Sequence, residues 1–365
     1  MRTPLLTALL GSGLLAACNF PAKDDATVGS QGLWIANGAH VIEFNPAELA
    51  RGTSAAAPHV SINSEIFGAP QGVTFDQHGN LYVVDPSAMI KGVATPAIYV
   101  FSASQLAALG ADDAPEPVTV ITTTYLKSPR QAAIDTAGNA YVTDYGSNAM
   151  LIFTAAQLAT SGTNASPPVL FVTSPGFNGP AGIVFDEDGN LWISNNGIPA
   201  KSTDPFGGGT TIVGIAAANI PAIPETGTLP REQGVDVTLT DAGNVSIQSP
   251  WGLAFDSSGN LWSANSQTST VVQFPKVDLA TGSPTPAATL SSATVGSAPS
   301  LNQPHGLCID SAGNVAAISA AGAFGISIYA SNQLATGAPA PSTFLVGSAT
   351  TLNSPAGCAF GPTVE

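Results

Sequence analysis

The sequence predicts an all-β fold, a six-bladed β-propeller of four-stranded blades whose two chain ends close one blade between them. Three observations predict it. A sixteen-residue pattern recurs along the chain, a further copy of it is divided between the two ends, and glycine (38) and proline (29) are abundant while only 9% of residues are charged. Many short strands joined by tight turns have this composition.

The recurring pattern is Pro-x-Gly, an apolar run, Asp-x-x-Gly-Asn, then a second apolar run ending in Asp, Asn or Ser. It occupies Pro70 to Asp85, Pro129 to Asp144, Pro180 to Asn195, Pro250 to Asn265 and Pro304 to Ser319. Five matches of this length are not chance. The first apolar run predicts one strand, the Asp-x-x-Gly-Asn segment a turn, and the second run an antiparallel return. A third strand is expected to end at Phe44, Phe101, Phe153, Phe274 or Tyr329, and a fourth to follow, as at Val118 to Ile121 and Phe344 to Val346.

Between the third and fourth strands lies another signature, seen at Asn45 to Gly52, Ser102 to Gly110, Thr154 to Gly162, Pro275 to Gly282 and Ala330 to Gly337. In the better copies an Asn, Ser or Thr precedes Glu or Gln by three residues, which is capping-box spacing, so a short helical turn is expected on each rim. Its repeated leucine (Leu49, Leu106, Leu158, Leu279, Leu334) reads as a packing peg.

The divided copy indicates closure. Pro355 to Phe360 is the first half of the pattern and Gly32 to Asn37 the second half. A linear array needs capped ends, whereas complementary halves make a ring without open edges.

The 365 residues are read as a signal segment (1–17), a tether (18–30) and one propeller domain (31–365). Arg2 and the apolar run Leu5 to Leu15 fit an export signal too short to span a bilayer. Leu15-Ala16-Ala17-Cys18 resembles the lipobox of bacterial lipoproteins. That resemblance implies a diacylglyceryl and acyl modification at Cys18, membrane attachment through the lipid, and export to the cell envelope. Asn19, not Asp, follows the cysteine and favours the outer over the inner membrane. Cys308 and Cys358 fall in predicted strands at adjacent offsets, facing each other across a blade boundary or facing apart, and buried free thiols are expected.

The formal net charge of −15 excludes nucleic acid as a partner, because no basic stripe exists to neutralise a phosphate backbone. Zinc chemistry lacks histidines: the chain has His40, His59, His78 and His305, of which only His305 stands at a repeat's Pro-x-Gly. Phosphate-loop and Gly-x-Ser-x-Gly motifs are missing from the sequence.

Taken together, the repeats resemble the NHL-type six-bladed propellers, a group whose architecture serves streptogramin-type lyases, calcium-dependent lactonases and non-catalytic binding modules. Pro-x-Gly and the exits of the second strands share one face of such a disc, here the top face. The candidate ligand-binding residues there are Gln71, Arg130, Asn195, Trp251, Asn265 and His305. Asp85 and Asp144 are candidates for a divalent cation, calcium or magnesium. The long connections Pro86 to Pro96 and Asn196 to Thr210 emerge beside them, and Ile220 to Ser249 is a further insertion with an accessory hairpin expected at Asp241 to Asn244. The leading expectation is a membrane-tethered binding module for an envelope protein, a glycan or a small molecule. The alternative is a lyase or lactonase-like hydrolase with a bound cation and His305 as acid/base. It lacks the glutamate that the resemblance would place at the mouth.

Overall fold

A computed structural model describes residues 31–51, 53–54, 56–198, 208–223, 231–240 and 246–364. The signal segment, Cys18 and the tether lie outside the described residues, as does the expected hairpin turn at Asp241 to Asn244.

Six antiparallel sheets follow one another round an axis, each running outward from an innermost strand. Blade 1 comprises Gly72–Phe75, Leu81–Asp85, Ala97–Phe101 and Thr119–Thr122; blade 2, Pro129–Ile134, Ala140–Asp144, Ala149–Phe153 and Leu170–Thr173. Blade 3 comprises Pro180–Phe185, Leu191–Asn195, Thr211–Ile215 and Val237–Thr240; blade 4, Pro250–Phe255, Leu261–Asn265, Thr270–Phe274 and Ala288–Ser291. Blade 5 comprises Pro304–Ile309, Val315–Ser319, Gly325–Tyr329 and Thr343–Val346. In blade 6 the C-terminal Pro355–Gly361 is innermost and pairs with Gly32–Asn37, followed by His40–Phe44 and Val60–Ile62. The divided blade is therefore present in the register the sequence implies, Cys358 opposite Ile35 and Pro355 opposite Asn37. Val237–Thr240, read from sequence as part of an insertion, is the outer strand of blade 3.

Apolar residues collect between blades. Six clusters fill the six blade junctions, for instance Val184, Trp192, Leu253 and Phe255 between blades 3 and 4. Second strands such as Leu81–Asp85 are buried on both faces, so they read as continuous apolar runs with little alternation.

The Asp-x-x-Gly-Asn turns are hubs on the bottom face. Asp256 Oδ1 accepts from Ser258 and Asn260 N–H, Asp256 Oδ2 accepts from Trp262 Nε1 at 3.0 Å, and Gly259 takes φ +78°. Asn260 Oδ1 in turn accepts from Lys276 N, at the start of the rim helix. The same bond from the turn asparagine to the rim helix recurs at Asn80, Asn139, Asn190 and Asn314. Rim helices form at Pro46–Leu49, Ala103–Leu106 and Ala155–Leu158 with complete capping boxes, and as 3-10 turns at Ala217–Asn219, Lys276–Thr281 and Ser331–Gln333. Leu106, Leu158 and Leu279 are buried in the junction clusters, as pegs should be.

After each rim helix the chain leans back onto the preceding blade. Thr53–Ser54 of blade 6 pairs in parallel with the outer strand of blade 5, Asp112–Asp113 of blade 1 with blade 6, Gly162–Asn164 of blade 2 with blade 1, and Arg231–Glu232 of blade 3 with blade 2. Blade 4 reaches blade 3 through Gly282 O, which accepts from Thr240 N at 2.9 Å, and blade 5 bridges Leu290 of blade 4 at Gly337. Every outer edge thus receives backbone hydrogen bonds from its successor.

The last residues are held against blade 6. Trp34 Nε1 donates to Pro362 O at 3.0 Å, and Val364 N donates to Glu43 Oε1 at 3.4 Å. Glu43 is buried, and desolvation pushes its carboxyl up to about 8, so it sits there mostly as the neutral acid near pH 7.

Cys308 and Cys358 form a disulfide, correcting the expectation of free thiols. Opposite-facing offsets in consecutive repeats are what pairing requires here, because the facing surfaces of two neighbouring blades are opposite faces of their sheets. The bond joins the innermost strands of blades 5 and 6, with Cα atoms 6.0 Å apart, and staples the C-terminal closing strand to the body of the ring. With a sequence separation of 50 between the cysteines, chain entropy assigns the cross-link about 4 kcal/mol. Urea denaturation with and without reductant should therefore show a clear loss of stability on reduction; coincident curves, with free thiol verified, would contradict the staple.

Candidate functional site

The top face is built by the register of the two inner strands. Pro129 pairs with Asp144, Pro180 with Asn195, Pro250 with Asn265 and Pro304 with Ser319, so each Pro-x-Gly lies beside the exit of its own second strand. The glycine is needed because the next blade comes too close for a side chain. A Cβ at Gly72 would lie 2.5 Å from Arg130 O, one at Gly252 2.6 Å from His305 O, and one at Gly357 2.6 Å from Gln71 O. Hydroxyls from second strands reinforce these contacts: Thr143 Oγ1 donates to Ala181 O at 2.5 Å, and Ser194 Oγ to Trp251 O at 2.6 Å.

The residue between Pro and Gly projects at the mouth, and round the ring it reads Gln71, Arg130, Ala181, Trp251, His305 and Ala356. Four of these form one connected row. Gln71 Oε1 accepts from Arg130 Nη1 at 3.1 Å, Arg130 Cζ lies 5.1 Å from the centre of the Trp251 ring, and Trp251 stacks on His305 at 4.0 Å with planes 4° apart. Arg130 reaches Trp251 past blade 3 because that blade contributes only Ala181. Tyr145 completes the row, its ring centre 4.8 Å from Arg130 Cζ and its hydroxyl donating to Gly197 O at 2.9 Å. Sequence reasoning missed Tyr145. The signal was available, since the position after the second-strand Asp or Asn holds Gly38, Pro86, Asn196, Ser266 and Ala320 in the other blades and an aromatic only here.

Arg130, Trp251, His305 and Gln71 are thus brought together. Asn195, Asn265, Asp85 and Asp144 are instead buried at 1% exposure or less and engaged with backbone. Asp85 accepts from Gly68, Ala69 and Ser87 N–H, and Asp144 from Lys127, Ser128 and Ser147 N–H. Asn195 accepts from Asn178 N and donates to Gly176 O; Asn265 accepts from Gln248 N and donates to Ser246 O. Asn37 and Ser319 accept similarly from Asn353 N and Asn302 N. In all six blades, then, this position fastens the connection that enters the blade. A cation at Asp85 or Asp144 would have to displace those bonds. Among the described residues no three His, Cys, Asp or Glu side chains gather as a metal group.

Beneath the row the channel narrows to a cavity of about 20 Å³, lined by Gln131, Leu253 and Leu307 among others, which is room for roughly one water. Gln131 Nε2 crosses to Val73 O at 3.3 Å. A ligand at this end therefore meets the row itself, and among the described residues the cavity beneath it is small. A larger groove of about 330 Å³ lies on the bottom face, between the turns of blades 2 and 3, and owes its wall to Ile220–Ile223. Its Asp135 and Asp186 carboxylates are occupied by their own turns.

Electrostatics at the mouth are governed by desolvation. It drives the His305 imidazole down to about 3, with the Arg130 charge adding to the effect, and it lowers Arg130, opposed by Tyr145 and Asp144. His305 is therefore neutral at any pH where an imidazole normally switches. Around the mouth the connections carry exposed apolar side chains: Met89 and Val93 in a small hairpin (Met89–Ile90 with Val93–Ala94), and Ile198 in the blade 3 connection.

No sequence-family model matches the chain, and no curated protein sequence does. Solved structures do match, at low identity. The chain is similar to a chain of a nidogen/laminin complex (TM-score 0.57, 14% identity, covering 92% of this chain and 100% of that one). It is similar to a protein of unknown function from Bacteroides caccae (TM-score 0.57, 10% identity, 91% and 99%) and to a candidate 6-phosphogluconolactonase from Bacteroides fragilis (TM-score 0.54, 13% identity, 93% and 99%). These likenesses establish the six-bladed propeller fold.

An imidazole held down at about 3 binds no proton in the native state until far below its unfolded value of about 6.5. Its contribution to stability is complete above pH 6.5 and is lost as pH falls toward 3. NMR of the His305 ring should show no titration between pH 5 and 8, and Trp251→Ala, which opens the stack to water, should move its pKa upward. A wild-type imidazole titrating near 6.5 would contradict the desolvation of the stacked ring.

Proposed function

We propose that this propeller is a binding module of NHL type, tethered to the bacterial envelope by a lipid on Cys18, whose top mouth holds a ligand against the row Tyr145, Arg130, Trp251 and His305. The stack of His305 on Trp251 carries the reading: at 4.0 Å and nearly parallel, with the imidazole held neutral, it makes a flat recognition surface and a poor proton shuttle. The full occupation of Asp85 and Asp144 by backbone supports binding over cation-assisted lyase or lactonase chemistry. Met89, Val93 and Ile198 supply apolar contact at the rim.

A screen of the purified chain against glycans, lactones and small organic acids, with and without calcium or magnesium, tests the reading. A bound compound should lose about fivefold or more in affinity with Trp251→Ala, corresponding to roughly 1 kcal/mol of lost aromatic contact, with no turnover. Turnover that falls by about a hundredfold in His305→Ala would establish catalysis instead. The tether has its own test: radiolabelled fatty acid should enter the wild-type protein and fail to enter Cys18→Ala, and an unlabelled wild type would remove the anchor.

A further inference from the structure

Resting on the mouth as the binding surface, we infer that Arg130 is a receptor for a carboxylate group of the ligand. The guanidinium carries five N–H groups, yet within the described residues its one hydrogen bond runs from Nη1 to Gln71. Nε is buried with no acceptor, and Nη2 has none either. These two nitrogens share one edge of the guanidinium, and that edge is the fork that receives both oxygens of a carboxylate. No acidic side chain of the described residues forms an ion pair with Arg130. In a chain with 24 acidic and 9 basic residues, an arginine left without a carboxylate at a ring mouth is conspicuous.

The surroundings select among anions. Arg130 contributes a single positive charge, His305 beside it is neutral, and Asp144 lies close enough to act on the guanidinium electrostatically. A carboxylate adds one negative charge beside the Arg130 and Asp144 pair and a phosphate dianion adds two, so the monoanion is the less opposed of the two. The ring centres of Tyr145 and Trp251 lie 4.8 and 5.1 Å from Cζ, so a ligand at the guanidinium also meets aromatic surface. A carboxylate arriving at the guanidinium would shift the surroundings of Trp251, which lies against Arg130 and is half-buried whereas Trp34, Trp192 and Trp262 are buried.

Acrylamide quenching of tryptophan emission reports that shift without adding an anion. The purified full chain is titrated with benzoate, with its neutral isostere benzamide, and with inorganic phosphate at constant ionic strength. Benzoate should change the quenching saturably and bind at least tenfold more tightly than benzamide or phosphate. Arg130→Gln should weaken benzoate at least tenfold and leave benzamide unchanged, and Trp251→Phe should remove the signal. Equal binding of benzoate and benzamide, an unchanged Arg130→Gln variant with a native melting profile, or tighter binding of phosphate would each overturn the carboxylate. If Arg130→Gln fails to fold, the benzoate and benzamide comparison on the wild type decides alone. A screened ligand that depends on Trp251 but not on Arg130 would leave the binding module standing and remove the carboxylate.

Discussion

Six innermost strands have to meet round one axis, and there is room there for backbone against backbone but not for side chains on both neighbours. Carbonyls of Arg130, His305 and Gln71 stand where a Cβ of Gly72, Gly252 and Gly357 would be. Everything at the mouth depends on that approach. It brings residues from different blades within stacking distance, shrinks the channel to a single water's width, and turns the residue before each glycine into the top-face surface. It also forces the junctions between blades, away from the axis, to hold the apolar core, in six separate clusters.

Arg130 shows how such a frame creates chemistry that no single repeat contains. Its guanidinium crosses the space above Ala181 to reach Trp251, a residue more than a hundred positions later in the chain, and the aromatic groups beside it partly withdraw it from water. Desolvation of a cation with most of its donors unanswered is costly. The fold sustains that cost because Gln71, Tyr145 and Trp251 are themselves fixed, Tyr145 by Gly197 O and the Trp251 backbone by Ser194.

Repetition made most of the fold legible from sequence. The Pro-x-Gly and Asp-x-x-Gly-Asn segments marked the inner strands and turns, and the half-copies at Gly32 and Pro355 marked the closure. Blade 3 was the hardest to read, since its third strand ends in Ile215 in place of an aromatic and its outer strand Val237–Thr240 follows an insertion. At the site, repetition and the departures from it point to different residues. Asp85, Asp144, Asn195 and Asn265 looked like ligands because polar residues converge at that position, yet all six blades use the position to hold incoming backbone. The residues that meet one another in the connected row are departures from the pattern, Arg130, Trp251, His305 and Tyr145. Pairing of Cys308 with Cys358 was hidden because it depends on how two sheets face each other, a relation that spacing within one repeat does not contain.

The segments that follow the rim helices give the ring a direction of dependence. Blade 1 completes blade 6, blade 2 completes blade 1, and so on round to blade 6, which completes blade 5; none of these contacts runs the other way. A lesion in one blade's rim segment therefore shows first at the outer edge of the blade before it. For the same reason no blade is a transferable module on its own: a repeat moved to another propeller leaves its protective strand behind with its successor, and the smallest unit that keeps every edge covered is the whole circle.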